Sequence, residues 1–210
     1  MRFRAFAILF ATLSFCVAPA WSADVQKGIA AYSIGNYEGA IAEWQPLAEN
    51  GSAEGQFWLA TLYSNGMGVP QSDEIALKWF RLAADQEHAG AQYNIGLMHA
   101  NGWGLDMSVE EAKRWYQRAA ENGSPEAQFS LGDMYDGGWG MERDYVQAYI
   151  WLSLAAAQDH SEATHRIKEI REKISADELT AAEQGVQTWM DKLEAKQAKK
   201  DTAYAYSTTD

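Results

Sequence analysis

A period of 36 residues runs through most of this chain and leaves few folds open to it. Ala40, Ala76, Ala112 and Ala148 occupy one phase of the period; Leu59, Ile95, Leu131 and Ile167 occupy another. Gln56, Gln92 and Gln128 share a phase with Thr164, and Phe57, Tyr93 and Phe129 share one with His165. Trp79, Trp115 and Trp151 form a further phase, which Glu43 breaks in the first unit. Self-similarity of this kind marks stacked supersecondary units, because one unit alone cannot bury its apolar face while a stack of them shares a continuous core. Units one and three share Asn-Gly-Ser at Asn50–Ser52 and Asn122–Ser124, whereas units two and four carry Gln-acid-His at Gln86–His88 and Gln158–His160. That alternation suggests growth by duplication of a pair.

Each unit reads as two helices. Asn36, Ser72, Ser108 and Asp144 recur where a side chain can accept from the free amides of a helix start. The first helix then carries apolar residues at helical spacing, such as Ala76, Trp79, Phe80 and Ala83. Gly51 and Gly123 fall where that helix needs a left-handed residue to end. A second cap follows at Ser52, His88, Ser124 and His160, and the second helix ends at Gly66-Met67-Gly68, Gly102-Trp103-Gly104 or Gly138-Trp139-Gly140. Gly96 and Gly132 lie inside second helices, where each costs about 1 kcal/mol against Ala, so close helix contact is expected there. The recurring Trp, Phe and Tyr residues are read as the shared core.

The ends differ from the repeats. Met1-Arg2-Phe3-Arg4 followed by an apolar run from Ala5 to Val17, and then Ala18-Pro19-Ala20, predicts a secretory signal peptide over residues 1–23, cut between Ala20 and Asp24. The run is too short to span a bilayer, so no membrane span is expected. Cleavage would remove Cys16, the single cysteine, and leave no thiol for a disulfide or a cysteine-based zinc site. Asp24 to Ile34 reads as a leading helix, residues 175–200 as a capping helix opened by the Ser175/Glu178 capping box, and 201–210 as a flexible tail. The formal net charge of −12 leaves no footprint for a phosphate backbone, which excludes nucleic acid as a partner.

The pattern Lys113-Arg114-Trp115-Tyr116, Ala119-Ala120-Glu121, Gly123, Ala127-Gln128, Leu131-Gly132, Met134-Tyr135, Gly138 and Gly140 resembles the Sel1-like repeat, a relative of the tetratricopeptide repeat. The likeness covers about residues 24–195, with departures at Glu43, at His99 in a Tyr phase, and in the fourth unit, which loses its loop glycines. It implies an all-α fold: a right-handed α-solenoid of about four repeats (about 37–72, 73–108, 109–144 and 145–174), the first helices lining a concave face. It implies no shared catalytic residues. Exported bacterial members regulate membrane sensors, assist envelope assembly or contact a host.

Catalytic patterns are absent. No Gly-x-Ser-x-Gly elbow or Ser-x-x-Lys occurs, and the Gly-x-Gly pairs close helix C-termini, where the dipole repels anions. His88, His99 and His160 stand in structural phases, and Asp133, Asp136, Glu142 and Asp144 lack the alternating ligands of a calcium loop. No metal or cofactor is therefore expected, and no enzyme activity. What remains is surface. Lys78 and Arg114 share one phase of the first helices, and Arg81 and Gln117 share another, forming a local basic strip able to hold an acidic peptide or a glycan carboxylate. Met67, Trp103 and Trp139 sit between the paired loop glycines, where they form an apolar ridge for a partner or pack on neighbouring loops. The sequence thus predicts a monomeric, exported interaction module, periplasmic in a Gram-negative bacterium, that binds a protein or peptide on its concave face or loop edge. The competing reading is a carbohydrate- or peptidoglycan-binding or -modifying envelope protein that uses the loop tryptophans as stacking platforms.

Overall fold

A computed structural model describes residues 20–207 of the chain. Most of the expected signal peptide lies outside the described residues, as do positions 208–210. Ten helices and no strand are found among the described residues: α1 (Ala20–Ser33), α2 (Tyr37–Glu49), α3 (Ala53–Asn65), α4 (Asp73–Asp85), α5 (Ala89–Asn101), α6 (Val109–Glu121), α7 (Pro125–Gly137), α8 (Tyr145–Ala156), α9 (Ser161–Arg171) and α10 (Ala176–Ser207). Helix α1 starts at Ala20, before the Asp24 start read from sequence, and so runs across the expected cleavage region.

The caps fall where the period places them. Asn36, Ser72, Ser108 and Asp144 each accept from an amide three residues on, at 2.9–3.3 Å. His88 and His160 do the same through Nδ1, accepting from Ala91 N at 3.1 Å and Ala163 N at 3.4 Å. These two rings also stack on Phe57 and Phe129 of the preceding unit, with centroids 4.5 and 4.4 Å apart. The Gln-acid-His alternation therefore ties neighbouring units together. Between Gln86 and His88, and between Gln158 and His160, stand Glu87 and Asp159, non-glycine residues at φ 61° and 63° where the other units use Gly51 and Gly123.

Packing is most extensive between the second helix of one unit and the first of the next, in the pairs α3/α4, α5/α6 and α7/α8. The small residues inside second helices explain this. A Cβ on Gly96 would lie 2.6 Å from the Tyr116 ring, and one on Gly132 would lie 2.5 Å from Leu152 Cγ. The close-contact expectation for these two positions is met, and it sets the deepest core phase: Trp44, Phe80, Tyr116 and Leu152, all buried. The Trp phase lies one residue earlier, 100° round the helix, and is buried in full only at Trp151; Trp79 and Trp115 are half-buried against the flank of the core.

The C-terminal helix is longer than expected, and its packing could not be read from the repeat. It runs to Ser207 rather than ending at 200, so residues 201–207, read as a flexible tail, are helical. No Gly or Pro follows Gly185, and Ala195, Ala198, Ala203 and Ala205 favour helix. Nor does α10 continue the stack as the first helix of a fifth unit would. It packs on α8 instead of α9, with Trp189 4.8 Å from Trp151 and Ile150 against Gly185. Lys196 Nζ meets Glu87 Oε2 at 3.3 Å, so α10 crosses back over the units that precede it.

Candidate partner-binding surfaces

The inter-repeat loops use the backbone and the side chain of their central residue for different purposes. Trp103 N donates to Met98 O at 3.0 Å and Trp139 N donates to Met134 O at 3.1 Å, which closes the end of α5 and of α7. The next glycine approaches the preceding first helix so closely that a Cβ on Gly140 would sit 2.5 Å from Val109 Cγ1, and one on Gly104 would sit 2.7 Å from Asp73 Cβ. The rings are left over. Trp103 is 48% exposed and Trp139 61% exposed, whereas Met67 packs partly into the first-unit core beside Val69. Of the three loop residues, the two tryptophans are thus the exposed ones.

Trp139 has a second setting. Its ring lies back over Gly137 and forms one wall of a pocket of about 380 Å³. Val109, Tyr116, Phe129 and Met134 supply the other apolar walls, and Ser130 and Asp133 the polar ones. Burial pushes the Asp133 carboxyl above the usual carboxylate range, against the opposing pull of Arg166. The Arg166 guanidinium donates to Asp133 at 3.1 Å, to buried Asp136 at 2.6 Å and to Glu169 at 2.9 Å, and Lys173 donates to Asp136 at 2.7 Å. Asp133 and Asp136, weighed from sequence as cation ligands, are thus matched by cations that hold α9 against α7.

The basic strip is divided. Arg114 is bound within its own helix by Glu110 at 2.7 Å and Glu111 at 2.6 Å, and Gln117 donates to Glu121 at 2.7 Å. Lys78 and Arg81 are exposed on α4, with Lys78 Nζ 5.8 Å from the Trp79 ring centre. Arg118, which sequence reading passed over, holds its guanidinium 5.4 Å from the Trp115 ring centre. Also unforeseen is a pocket of about 590 Å³ between α10 and the ends of the first helices, with Asn122, Leu154 and Gln158 on one side and Met190 and Leu193 on the other. The period could not reveal it, because α10 lies outside the repeats.

Helix pairs stacked through one shared core, with exposed aromatic loops, define a tetratricopeptide-like repeat solenoid. The chain belongs to the Sel1 repeat family, whose model matches residues 53–88, 89–124 and 125–160. Those bounds join each second helix to the following first helix, half a unit out of step with the division read from sequence, and correspond to the most extensively packed pairs. The chain is similar to the crystal structure of a Sel1 repeat protein from Oxalobacter formigenes, with 31% identity and a TM-score of 0.64, over 69% of this chain and 57% of that one. It is also similar to a protective antigen present in uropathogenic Escherichia coli strains displaying an SLR fold, with 28% identity and a TM-score of 0.58, over 84% of this chain and 46% of that one. It spans about half the length of these solved proteins. No curated protein matches it. The Sel1 repeat fold is in general a protein–protein interaction scaffold and typically non-catalytic. No described helix is long and apolar enough to cross a membrane.

Proposed function

We propose that this protein is an exported, non-catalytic adaptor that holds a protein or peptide partner on its loop edge and first-helix face. The observation that carries the reading is the exposure of Trp103 and Trp139 at equivalent positions of consecutive loops, where the backbone alone satisfies the turn. A large ring left in water forgoes burial worth roughly 1.5–3 kcal/mol, which local folding does not explain. The pocket beside Trp139 offers an apolar side chain of a partner a place to anchor, as interface hot spots do. Export rests on the basic start, apolar run and small-residue cleavage region of residues 1–23; in a Gram-negative bacterium the compartment is the periplasm.

The test is crosslinking pull-down from the native envelope with the wild-type chain and with the double variant Trp103→Ser, Trp139→Ser. The variant is expected to keep its melting temperature and lose the crosslinked partner. A fall of many degrees, or an unchanged yield of partner, counts against the reading. Retention of the wild-type chain on purified peptidoglycan, lost in the same variant, would favour the carbohydrate-binding alternative.

A further inference from the structure

The pocket beside Trp139 owes its shape to residues that the other repeats do not carry. Asp133 stands where α5 has Leu97 and α3 has Thr61, and Gly137 stands where they have Asn101 and Asn65. Those asparagines fold back onto their own helices, donating to Leu97 O at 2.8 Å and to Thr61 O at 2.9 Å. Gly137 has no such arm, and the Trp139 ring takes the space: a Cβ there would lie 2.9 Å from the indole Nε1. The indole therefore closes one side of the pocket, Phe129 and Tyr116 stand among its other walls, and Asp133 is the charged residue of its lining. At about 380 Å³ the space is at the small end of ligand sites and suits one side chain rather than a large cofactor.

Charge says what fits. Asp133 shares the Arg166 guanidinium with Asp136 and Glu169 and gives it one oxygen: Oδ1 accepts at 3.1 Å, while Oδ2 accepts no hydrogen bond among the described residues. Asp133, Asp136, Glu162 and Glu169 lie together against two cations, Arg166 and Lys173. Burial outweighs Arg166 at the Asp133 carboxyl, so a second positive charge beside it stabilises the ionised form. The other cations near the loop are turned elsewhere: Arg143 lies 5.8 Å from the Tyr145 ring centre and Lys113 5.9 Å from that of Tyr135. Trp79, Trp115 and Trp189 each have a cation of this chain over the ring, at 5.8, 5.4 and 4.5 Å, and among the described residues Trp139 has none. We infer that the pocket binds a basic side chain of the partner protein, lysine or arginine, its apolar stem against Phe129 and Met134 and its head group between the Trp139 ring and Asp133. The formal net charge of −12 draws a basic segment towards the chain from further out. The inference rests on the scaffold reading above and assigns to it the anchor residue of the partner.

The probes are Nα-acetyl-lysine methylamide and its uncharged counterpart Nα-acetyl-norleucine methylamide. Each is titrated into the full isotope-labelled chain at constant ionic strength and read by NMR at the indole N–H of Trp139, assigned with Trp139→Phe. A saturable shift is expected with the lysine probe, and about tenfold weaker binding with the norleucine probe. Asp133→Asn is expected to bring the two probes to equal affinity. Gly137→Asn, which keeps the carboxylate and displaces the ring, is expected to weaken the lysine probe at a wild-type melting temperature. Should Asp133→Asn melt early through its lost Arg166 contact, Gly137→Asn carries the test, and full lysine affinity there overturns the inference. Trp103, with Leu97 in place of Asp133, is the internal control: equal shifts at both indoles mean a general attraction to an acidic chain and also overturn it. So do equal affinities of the wild type for both probes, or saturation by neither. Equal affinities together with loss of the crosslinked partner in the Trp103→Ser, Trp139→Ser variant would leave the scaffold reading standing and remove only the basic anchor.

Discussion

Gln92 and Asn122 are joined across a repeat boundary: Asn122 Nδ2 donates to Gln92 Oε1 at 2.8 Å, while Gln92 Nε2 donates to Ala84 O at 3.1 Å. The same bracket recurs one period to either side. Gln56 receives Gln86 at 2.9 Å and donates to Ala48 O, and Gln128 receives Gln158 at 2.9 Å and donates to Ala120 O. Each buried amide thus ties its own helix to the first helix of its unit and to the next unit. Thr164 ends the series, because no fifth unit offers a donor.

Replacing Gln92 by Leu leaves the half-buried Asn122 amide without its partner, while Ala84 O keeps the Glu87 amide at 3.0 Å. The orphaned amide costs about 1–3 kcal/mol, so the variant is expected to lose several degrees of melting temperature. Thr164→Ala, at the exposed end of the ladder, is expected to change stability by less than about 0.5 kcal/mol. Urea titration of both variants checks the contrast.

Aromatic truncation separates the two ring phases. Tyr116→Ala empties a buried site against Gly96 and is expected to cost about 3–5 kcal/mol. Trp115→Ala removes a half-buried ring and should cost clearly less. Denaturant unfolding that ranks Trp115 above Tyr116 would reverse the assignment of helix faces.

Deleting residues 175–210 uncovers Ile150, Trp151 and Leu154 of α8. The truncated chain is expected to melt earlier and to self-associate as protein concentration rises, by light scattering. A soluble truncation with an unchanged melting point would mean that α10 adds no stability where it lies.

Glu54 connects stability to pH. Its hydrogen bond with His88 Nε2 at 3.0 Å, stronger in effect than the opposing burial, holds its carboxyl below the ordinary value of 4.5. A depressed folded-state value means that the unfolded chain takes up the proton first, so the contribution is present above about pH 4.5 and lost as pH falls below it. Melting temperatures from pH 6 to pH 3 are expected to fall more steeply in wild type than in Glu54→Gln. Parallel curves would show that the Glu54–His88 contact adds nothing to stability.

The sequence by itself determined the period, the caps and the turns, because each depends on chemistry within a few residues. An Asn, Ser, Asp or His at a helix start acts on amides three residues away, and a Gly at positive φ needs only its own missing Cβ. It also marked Gly96 and Gly132 as close contacts and placed Trp103 and Trp139 in loops that need no side chain. Tertiary structure alone decided which aromatic phase forms the deep core. Trp115 and Tyr116 are neighbours on one helix, and only the approach of α5 shows that Tyr116 faces Gly96. The fate of the Trp151 stripe was likewise beyond the repeat pattern, since α10 carries no period that fixes where it lies. Trp151 is fully buried on α8 and its equivalent Trp79 only half-buried on α4, because burial depends on what comes to cover a face, and a helix from outside the repeat covers only one of them.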